Sequence, residues 1–522
     1  MTATRAAGPS LRRRWQRFVL RTQGRLDGAN ADRFVPWLLA LAVFAWYVAV
    51  EAAAVRSLDG GSGLGPWLQA AWRREHGGAG QPLGGQDPAT ASWSLVSEPI
   101  LALTRVIPAE AVFTIVQAGA LALGVVALWR LAREEAHLRV GATWVVITAY
   151  ALAPALHRTN LSAFHPEAIA LPALLWAYLH GRRGHAWRFG LLVLLILSCR
   201  ADLGLSVVAL GILIAVGGRR RLGIAAAAVG GAWSLLAMVV IDPSLPDGAL
   251  TPSSEFVARS AGPLAVIPEL LGDPLAQLRD LVAEPAVLFL VVVLAPLLFL
   301  PLVSPRNMAA ALPCLALAMI ADTAVQRVAQ RGVVDLSPAA AHVAPAMAFV
   351  FIALVFALER VGEVSVTRVN VDHRLLLALL FGATLFFLTA APTSPYRQPW
   401  NWGSRDAVDG ARLEAAALVG EERSVAVSPS TTAQVALRPH VLELPVDPED
   451  LTPLRILDIV ESADVVLLDT SIRNPAIDAP FWTEEDRARV LDSFARYGLG
   501  PIYDEQGILV LAEAQDGGTA SG

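Results

Sequence analysis

The sequence contains little charge and no lysine. Only 17% of its 522 residues are charged, whereas soluble domains carry about a quarter. Because lysine is absent, arginine supplies the positive charge of the long side chains. The low charge argues against an ordinary soluble domain. A hydrophobic content of 55% and a mean hydropathy of +0.52 indicate a membrane protein instead.

Other features are scarce as well. The two cysteines, Cys199 and Cys314, both lie in apolar stretches, so a disulfide framework is not indicated. No glycine-rich phosphate loop follows a predicted strand, so no nucleotide site is predicted, and no nucleic-acid partner is expected. The first apolar run follows a basic segment and lacks a small-residue cleavage site. We therefore expect a retained first helix and not a signal peptide.

Apolar segments alternate along the chain with arginine-bearing loops. A spanning helix needs roughly 20 apolar residues, and the pattern predicts about eleven spans. The positive-inside rule puts the arginine loops in the cytoplasm, which predicts a multi-pass plasma-membrane protein with a cytoplasmic N-terminus and an extracytoplasmic C-terminus. The predicted spans include 35–55, 111–128, 140–156, 165–179, 222–241, 285–303, 309–321, 342–358 and 375–390.

Three regions follow from this topology. Residues 1–34 form a basic cytoplasmic N-terminus, and residues 35–390 form a helical transmembrane domain with external loops at 56–110 and 242–284. Residues 391–522 are predicted to be a small extracytoplasmic α/β domain. Its expected strands are 424–427, 440–444, 464–468 and 508–511, and its expected helices are 413–419 and 484–496. This domain could act as a lid or acceptor-docking surface, or only cap the fold.

The apolar stretch at 189–216 contains the charged triplet Arg200-Ala201-Asp202. It could be one long buried helix or two short helices that turn at the triplet. Both flanks carry arginines, which favour the same cytoplasmic side and hence two crossings. Charges at a turn also cost less than charges at the centre of the bilayer. We expect the helical hairpin, with Arg200 and Asp202 at the outer edge.

Polar residues that could carry chemistry cluster at the predicted outer ends of the spans. Asp59 follows the first span, and a set of charged residues lies at the outer ends of the third to fifth: Arg158, His165, Glu167, Arg200 and Asp202. Each has an ordinary alternative. Asp59 could be a solvated loop charge, the His165 and Glu167 pair a helix cap, and Arg200 with Asp202 a buried ion pair. Glu51, inside the first apolar run, and Glu98, in the first loop, are secondary candidates.

Two motifs resemble a known family. The first is Phe164-His165-Pro166-Glu167 with Pro172, and the second is Cys199 to Leu205 followed by Gly211 and an arginine triplet at 219–221. Together they resemble the bacterial and archaeal membrane family called domain of unknown function 2079, over most of the chain. The chain departs from the family twice. Ala201 stands where members usually have an acid, and Ser97 and Glu98 stand where a histidine is usual.

The resemblance implies a membrane glycosyltransferase of the GT-C superfamily. Its donor would be a polyprenyl-phosphate-linked sugar, and its acceptor would lie outside the cytoplasm. Asp59 would be the general base, and Arg200 with Arg158 would hold the donor phosphate. The remaining candidates would orient the acceptor or a divalent metal: His165, Glu167 and Asp202.

Two other functions stay open. A lipid or polysaccharide transporter or flippase usually places its polar site near the bilayer midplane, on broken helices of inverted repeats. No internal repeat is found in the sequence, and the charges cluster at one edge. A non-catalytic membrane scaffold is the second alternative, because an acid is missing at Ala201.

Overall fold

Helices dominate the described part of the chain, because backbone groups in lipid must be satisfied within their own segment. The computed structural model describes residues 28–58, 62–83, 87–162, 164–237, 239, 290–315, 340–365, 367–396, 403–474 and 479–513. The helices before the C-terminal part are α1 (Ala29–Arg56), α2 (Gly65–Glu75), α3 (Pro88–Ala91), α4 (Ser97–Leu103), α5 (Ala109–Arg130), α6 (Val140–Ala151), α7 (Pro154–Ser162), α8 (Glu167–Arg183), α9 (Ala186–Cys199), α10 (Gly204–Val216), α11 (Arg220–Leu236), α12 (Pro305–Ala309), α13 (Ala340–Val361) and α14 (His373–Ala390).

Four helices in the described ranges are long and apolar enough to cross a membrane: Ala31–Arg56, Ala109–Glu135, Val343–Val361 and His373–Ala390. The α6 and α7 pair adds a fifth if it counts as one span. Two further apolar helices, α9 and α10, are shorter. The predicted count of about eleven spans is therefore not confirmed. The predicted external loop at 242–284 lies outside the described residues.

Prolines explain two departures from the predicted spans. The segment expected at 140–156 bends by 41° between α6 and α7, where Pro154 begins the second helix. Of the segment expected at 285–303, the structure describes 290–303, and much of this part forms the 3-10 turns Ala295–Leu297 and Leu300–Val303. Both turns contain a proline, which removes a backbone donor and interrupts a regular helix. A continuous helix at 285–303 is thus a wrong prediction.

The apolar stretch around Arg200 forms two helices and not one. Helix α9 ends at Cys199, residues Ala201–Leu203 make a 3-10 turn, and α10 begins at Gly204. At the far end of α10, the Arg219 guanidinium donates hydrogen bonds to the carbonyl oxygens of Arg182 (3.3 Å) and Arg183 (3.4 Å). The chain therefore runs out along α9 and back along α10, as the arginine flanks predict.

Several arginine-bearing loops meet at one end of the helices. Arg133 Nε lies 2.8 Å from Asp32 Oδ1, joining the end of α5 to the start of α1. The Glu135 carboxylate forms ion pairs with Arg182 Nε at 3.1 Å and with Arg183 Nε at 3.0 Å. These pairs join the same region to the end of α8. The Arg200 turn lies at the opposite end, because α9 starts and α10 finishes beside these arginines. The core between the two ends is built around α13, in which 89% of the residues of the apolar stretch are buried.

The C-terminal part contains a mixed five-stranded sheet in the order β4-β3-β5-β9-β8. Strands β3, β4 and β5 are parallel, whereas β9 is antiparallel to both β5 and β8. Helices cover the two faces of the sheet, and each face has its own apolar cluster. The elements are β3 (Val425–Val427), β4 (Val441–Glu443), β5 (Val465–Asp469), β8 (Leu499–Glu505), β9 (Ile508–Glu513), α15 (Ala407–Val419), α16 (Thr432–Val435), α17 (Pro453–Ser462) and α18 (Glu484–Ala495).

Small hairpins complete the described elements. Strands β1 (Glu363–Ser365) and β2 (Arg368–Asn370) pair between α13 and α14, and β6 (Arg473–Asn474) pairs with β7 (Ala479–Pro480). In the five-stranded sheet, the four predicted strands are all present, and both predicted helices are found within α15 and α18. Helix α17 and strand β8 were not predicted.

Helices α10 and α11 pack with their backbones close together at glycines. A Cβ added at Gly223 would overlap backbone atoms of Ala215 and Gly211 on the facing helix. Gly231 lies further along α11, and an added Cβ there would have no atom within 4 Å. Small residues permit this kind of close helix packing in membranes.

We predict that Gly223→Ala lowers the melting temperature of the detergent-solubilised protein. Overpacking of a tight contact costs roughly 1–3 kcal/mol. The matched control Gly231→Ala adds the same methyl group to the same helix in open space, and should leave the melting temperature unchanged or slightly raised. Equal effects of the two substitutions would contradict the close packing of α10 against α11.

Candidate functional site

Four of the predicted charged residues meet where α9 gives way to α10. Arg200 Nη1 lies 2.7 Å from Glu167 Oε1, and Arg200 Nε lies 3.2 Å from Asp202 Oδ1. His165 Nδ1 is 3.9 Å from the second oxygen of Glu167. Glu167 is only 2% exposed. One arginine thus lies between two carboxylates in a largely buried cluster, which we call the Arg200 cluster.

Local sequence explains this arrangement. Glu167 lies in the first turn of α8, directly after Pro166, so its side chain is fixed at the start of a helix. Arg200 has an extended backbone between α9 and the 3-10 turn, and its guanidinium contacts Glu167 at the start of α8. The geometry matches the buried ion pair that the sequence left open as an alternative for Arg200 and Asp202.

A glutamine within the second apolar run holds the neighbouring chain. Gln117 Nε2 donates to the carbonyl oxygens of Thr159 (2.8 Å) and Asn160 (3.2 Å), at the end of α7. Gln117 Oε1 accepts a hydrogen bond from the backbone N–H of His165 at 2.6 Å. This buried side chain therefore sets the path from α7 to the Arg200 cluster. Sequence reasoning missed it, although a polar residue in an apolar run was a visible signal.

Backbone hydrogen bonds tie the Arg200 turn to the first long loop. The N–H of Ala201 donates to the carbonyl oxygen of Ser92 at 3.3 Å, and the N–H of Val96 donates to that of Ser198 at 3.0 Å. Residues 92–96 of the loop consequently lie against the end of α9. The Arg200 cluster and this part of the loop share one end of the helical region.

The Arg200 cluster does not fit a divalent metal. The Arg200 guanidinium contacts both Glu167 and Asp202, so a cation already occupies the place between the carboxylates. Within the described ranges, no group of three or more His, Cys, Asp or Glu side chains could hold a metal ion.

Asp59 lies outside the described residues, but the residues on either side of it are placed. Leu58 follows α1 and Leu64 precedes α2, and both line a cavity of about 530 Å³. The cavity also contacts α1, α5 and the C-terminal part of the chain. We call it the interface cavity.

Glu51 and Glu98 lie in different surroundings. Glu51 is on α1 and contacts the Thr114 side chain, which lines the interface cavity, and its Oε2 is buried. Glu98 is half exposed and lies 2.8 Å from Arg74 Nη2 within the first loop. Hydrogen bonds to Glu98 and Asp87 raise the pKa of the Arg74 guanidinium. Glu98 is thus a loop charge with a local partner.

Arg158 lies on α7, half-buried, while its neighbour His157 is fully buried. The two ring nitrogens of His157 contact the Ala151 carbonyl oxygen (2.8 Å) and Thr393 Oγ1 (2.9 Å). His157 therefore has a packing role that joins α7 to the segment after α14. Arg158 lies on α7, whereas Glu167 of the Arg200 cluster lies on α8 and Arg200 follows α9.

A second polar network lies at the carboxyl ends of the parallel strands. Asp469 ends β5 and is fully buried. Its carboxylate accepts hydrogen bonds from Arg412 Nε (3.0 Å) on α15 and from Ser430 Oγ (2.6 Å) after β3. Ser430 also lines the interface cavity. In open α/β sheets this edge is the usual place for ligands, and here it faces the helical region.

Close contacts fix the C-terminal part on the first loop. A Cβ added at Gly65 would lie 2.5 Å from Thr432 Cγ2, so α2 and α16 approach closely. Ala436 belongs to the same apolar cluster as Trp67 of α2 and Phe164, the residue before His165. The first loop is thus packed between the C-terminal part and the chain that leads to the Arg200 cluster.

The chain belongs to the family of predicted membrane proteins designated domain of unknown function 2079, which it matches over residues 94–509. No curated protein matches the chain. Among solved structures, it is similar to the arabinofuranosyltransferase AftD from Mycobacteria, with a TM-score of 0.41 and 13% identity. This similarity covers 91% of the chain but 40% of AftD, so the chain spans less than half of that protein's length.

We predict that Arg200→Gln destabilises the protein strongly and that adding Glu167→Gln restores part of the loss. The single substitution leaves the buried Glu167 and the partly buried Asp202 carboxylates without a counter-charge, and breaking such a buried pair costs about 3–5 kcal/mol. The second removes one of those charges. Thermal unfolding of the detergent-solubilised chain measures both effects.

Arg496→Gln is the control, because Arg496 forms an exposed pair with Asp492, and such pairs contribute at most about 1 kcal/mol. If Glu167→Gln deepened the loss caused by Arg200→Gln, the Arg200 cluster would not be held by this charge balance.

Proposed function

We propose that the chain is a membrane glycosyltransferase that moves a sugar from a polyprenyl-phosphate donor to an acceptor outside the cytoplasm. One observation carries the proposal. The backbone pairing of residues 92–96 with the end of α9 puts the Arg200 cluster against the first loop. Asp59 belongs to the same loop in the sequence, and in this proposal it acts as the base at the polar surface that carries Arg200.

The chemistry needs no cytosolic nucleotide, because the sugar is already activated by its lipid phosphate. An acceptor hydroxyl attacks the anomeric carbon, the bond from that carbon to the phosphate oxygen breaks, and the hydroxyl proton passes to the Asp59 carboxylate. A positioned general base contributes typically 10²–10⁴-fold. Arginine stabilises the negative charge that develops on the leaving phosphate.

In this proposal Arg200 and Arg158 contact the donor phosphate. Glu167 and Asp202 hold the planar Arg200 guanidinium in a fixed orientation, so less freedom is lost when a phosphate binds. Asp202, Glu167 and His165 together set the polarity of the surface at which the acceptor is oriented. Arginine-bearing loops on the opposite end are assigned to the cytoplasm by the positive-inside rule, which leaves the Arg200 cluster and the C-terminal sheet outside.

We predict that Asp59→Asn abolishes sugar transfer while expression and membrane insertion stay normal. Without the base, the rate should fall by at least about 100-fold. The assay uses the full chain in proteoliposomes with a set of radiolabelled polyprenyl-phosphate monosaccharides as donors and an envelope-lipid extract as acceptor. Asp458→Asn makes the same chemical change at an exposed position of α17, and should leave the rate unchanged.

Full activity of Asp59→Asn would remove Asp59 from the mechanism. Movement of intact glycolipid across the proteoliposome membrane, without a new glycosidic bond, would favour the transporter alternative. If the unchanged protein transferred sugar from none of the radiolabelled donors, the proposed function would be contradicted.

A further inference from the structure

The interface cavity lies apart from the Arg200 cluster and has a distinct lining. It is open on one side and is lined by the last turns of α1, the first turns of α5, Leu58 and Leu64 of the first loop, and residues of the C-terminal part. Its volume of about 530 Å³ falls in the range of small-molecule sites, roughly 300–1,000 Å³. The cavity is large enough for a lipid headgroup and the first carbons of its chains.

One wall of the cavity is apolar and belongs to helices that can cross a membrane. Val48, Ala52 and Val55 follow each other on one face of α1, and Ala111 and Ile115 do so on α5. Both helices are among those of spanning length and composition. Hydrocarbon chains of a bilayer lipid can therefore continue from the surrounding membrane along this wall.

The rim of the cavity carries two arginines. Arg56 ends α1, and Arg405 precedes α15, with Arg405 Nε donating to the Arg56 carbonyl oxygen at 2.9 Å. This hydrogen bond keeps the two residues adjacent, and both are exposed. Glu110 also lines the cavity, so these three charged residues leave a net positive charge. Guanidinium groups in such a position suit a phosphate oxygen.

The wall contributed by the C-terminal part can accept hydrogen bonds. Gln434 Oε1 is a buried atom without a hydrogen-bond partner in the described part of the chain. Ser430 Oγ donates its proton to Asp469, so its lone pairs remain available as acceptors. A ligand with hydroxyl groups near its phosphate would satisfy these atoms.

From these features we infer that the interface cavity binds an anionic lipid whose phosphate headgroup carries hydroxyl groups, as in phosphatidylglycerol. The inference rests on the described lining of the cavity and is independent of the proposed sugar transfer.

Binding to the full chain in neutral detergent tests the inference without any turnover. The probes are dioctanoyl-phosphatidylglycerol, dioctanoylglycerol, which lacks the phosphate, and glycerol 3-phosphate, which lacks the chains. Microscale thermophoresis should show saturable binding of the phospholipid and much weaker binding of the other two. Arg405→Gln and Arg56→Gln should each weaken phospholipid binding about tenfold, the size of one charge-assisted hydrogen bond.

Arg455→Gln is the matched control, because Arg455 is an exposed arginine on α17 that does not line the cavity. This variant should bind the phospholipid with the affinity of the unchanged protein. Ala111→Phe fills the cavity from α5 without altering charge, and should also reduce phospholipid binding. Equal affinity for glycerol 3-phosphate and the phospholipid would show a free-phosphate site and overturn the inference. So would phospholipid binding that none of the three cavity substitutions changes.

The two proposals fail in different ways. Arginine-dependent phospholipid binding without any sugar transfer would overturn the proposed function and keep the cavity as a lipid site. Sugar transfer by a protein that binds no phosphatidylglycerol would support the proposed function and overturn the assignment of the cavity as a lipid site.

Discussion

Charges cannot rest unpaired in hydrocarbon, and the arrangement of the helical region follows from where the chain keeps them. Arg200 and Asp202 interrupt an apolar stretch, so the helix ends before them and a new one begins after them. The turn thereby reaches one end of the helices, while the arginines at 182–183 and 219 meet at the other. Glu167 completes the charge balance of Arg200 from the start of α8. Residues from three sequence segments come together because of this one requirement.

The first loop packs between the C-terminal sheet and the helical region and fixes their relative position. Helix α2 lies between α16 and the apolar cluster that contains Phe164. The carboxyl edge of β3 and β5 therefore faces the last turns of α1 and the first turns of α5, with the Asp469 network behind Ser430. A lid or acceptor-docking surface and a folding cap were equally compatible with the sequence. The C-terminal part supplies Arg405, Ser430 and Gln434 to the polar lining of the interface cavity.

Elements governed by local patterns could be predicted from the sequence. Arginine flanks predicted the turn at Arg200, and short apolar runs predicted β3, β4, β5 and β9. Helix α15 was predicted to begin at residue 413, although the Asp406 and Asp409 capping box at its true start was readable in the sequence. Strand β8 was missed because Gly500 and Pro501 disfavour strands, and pairing with β9 overrides that preference.

Contacts between distant segments could not be predicted. The His165 N–H donates a hydrogen bond to Gln117 Oε1, and the Ala201 N–H donates one to the Ser92 carbonyl oxygen. These residues are far apart in the sequence, and no local pattern encodes such a contact. The sequence offered a buried ion pair of Arg200 with Asp202 as one alternative, and the structure contains that contact. The sequence named no contact for Arg158. The interface cavity also needs the folded chain, because α1, α5 and the strand edge meet only in three dimensions.

The central claim is that the Arg200 turn, the first loop and the C-terminal sheet share the non-cytoplasmic side. Cysteine accessibility in intact cells tests it most directly, in a background where the buried Cys199 and Cys314 are replaced by alanine. Leu95→Cys reports the loop beside the Arg200 turn, and Asp492→Cys reports the sheet. His373→Cys reports the opposite end of the helices, because Arg368 of the preceding strand β2 donates a hydrogen bond to the Arg133 carbonyl oxygen. All three positions are exposed. The account predicts that a membrane-impermeant maleimide labels the first two in intact cells and the third only after permeabilisation. Labelling of His373→Cys in intact cells, with Leu95→Cys protected, would contradict it.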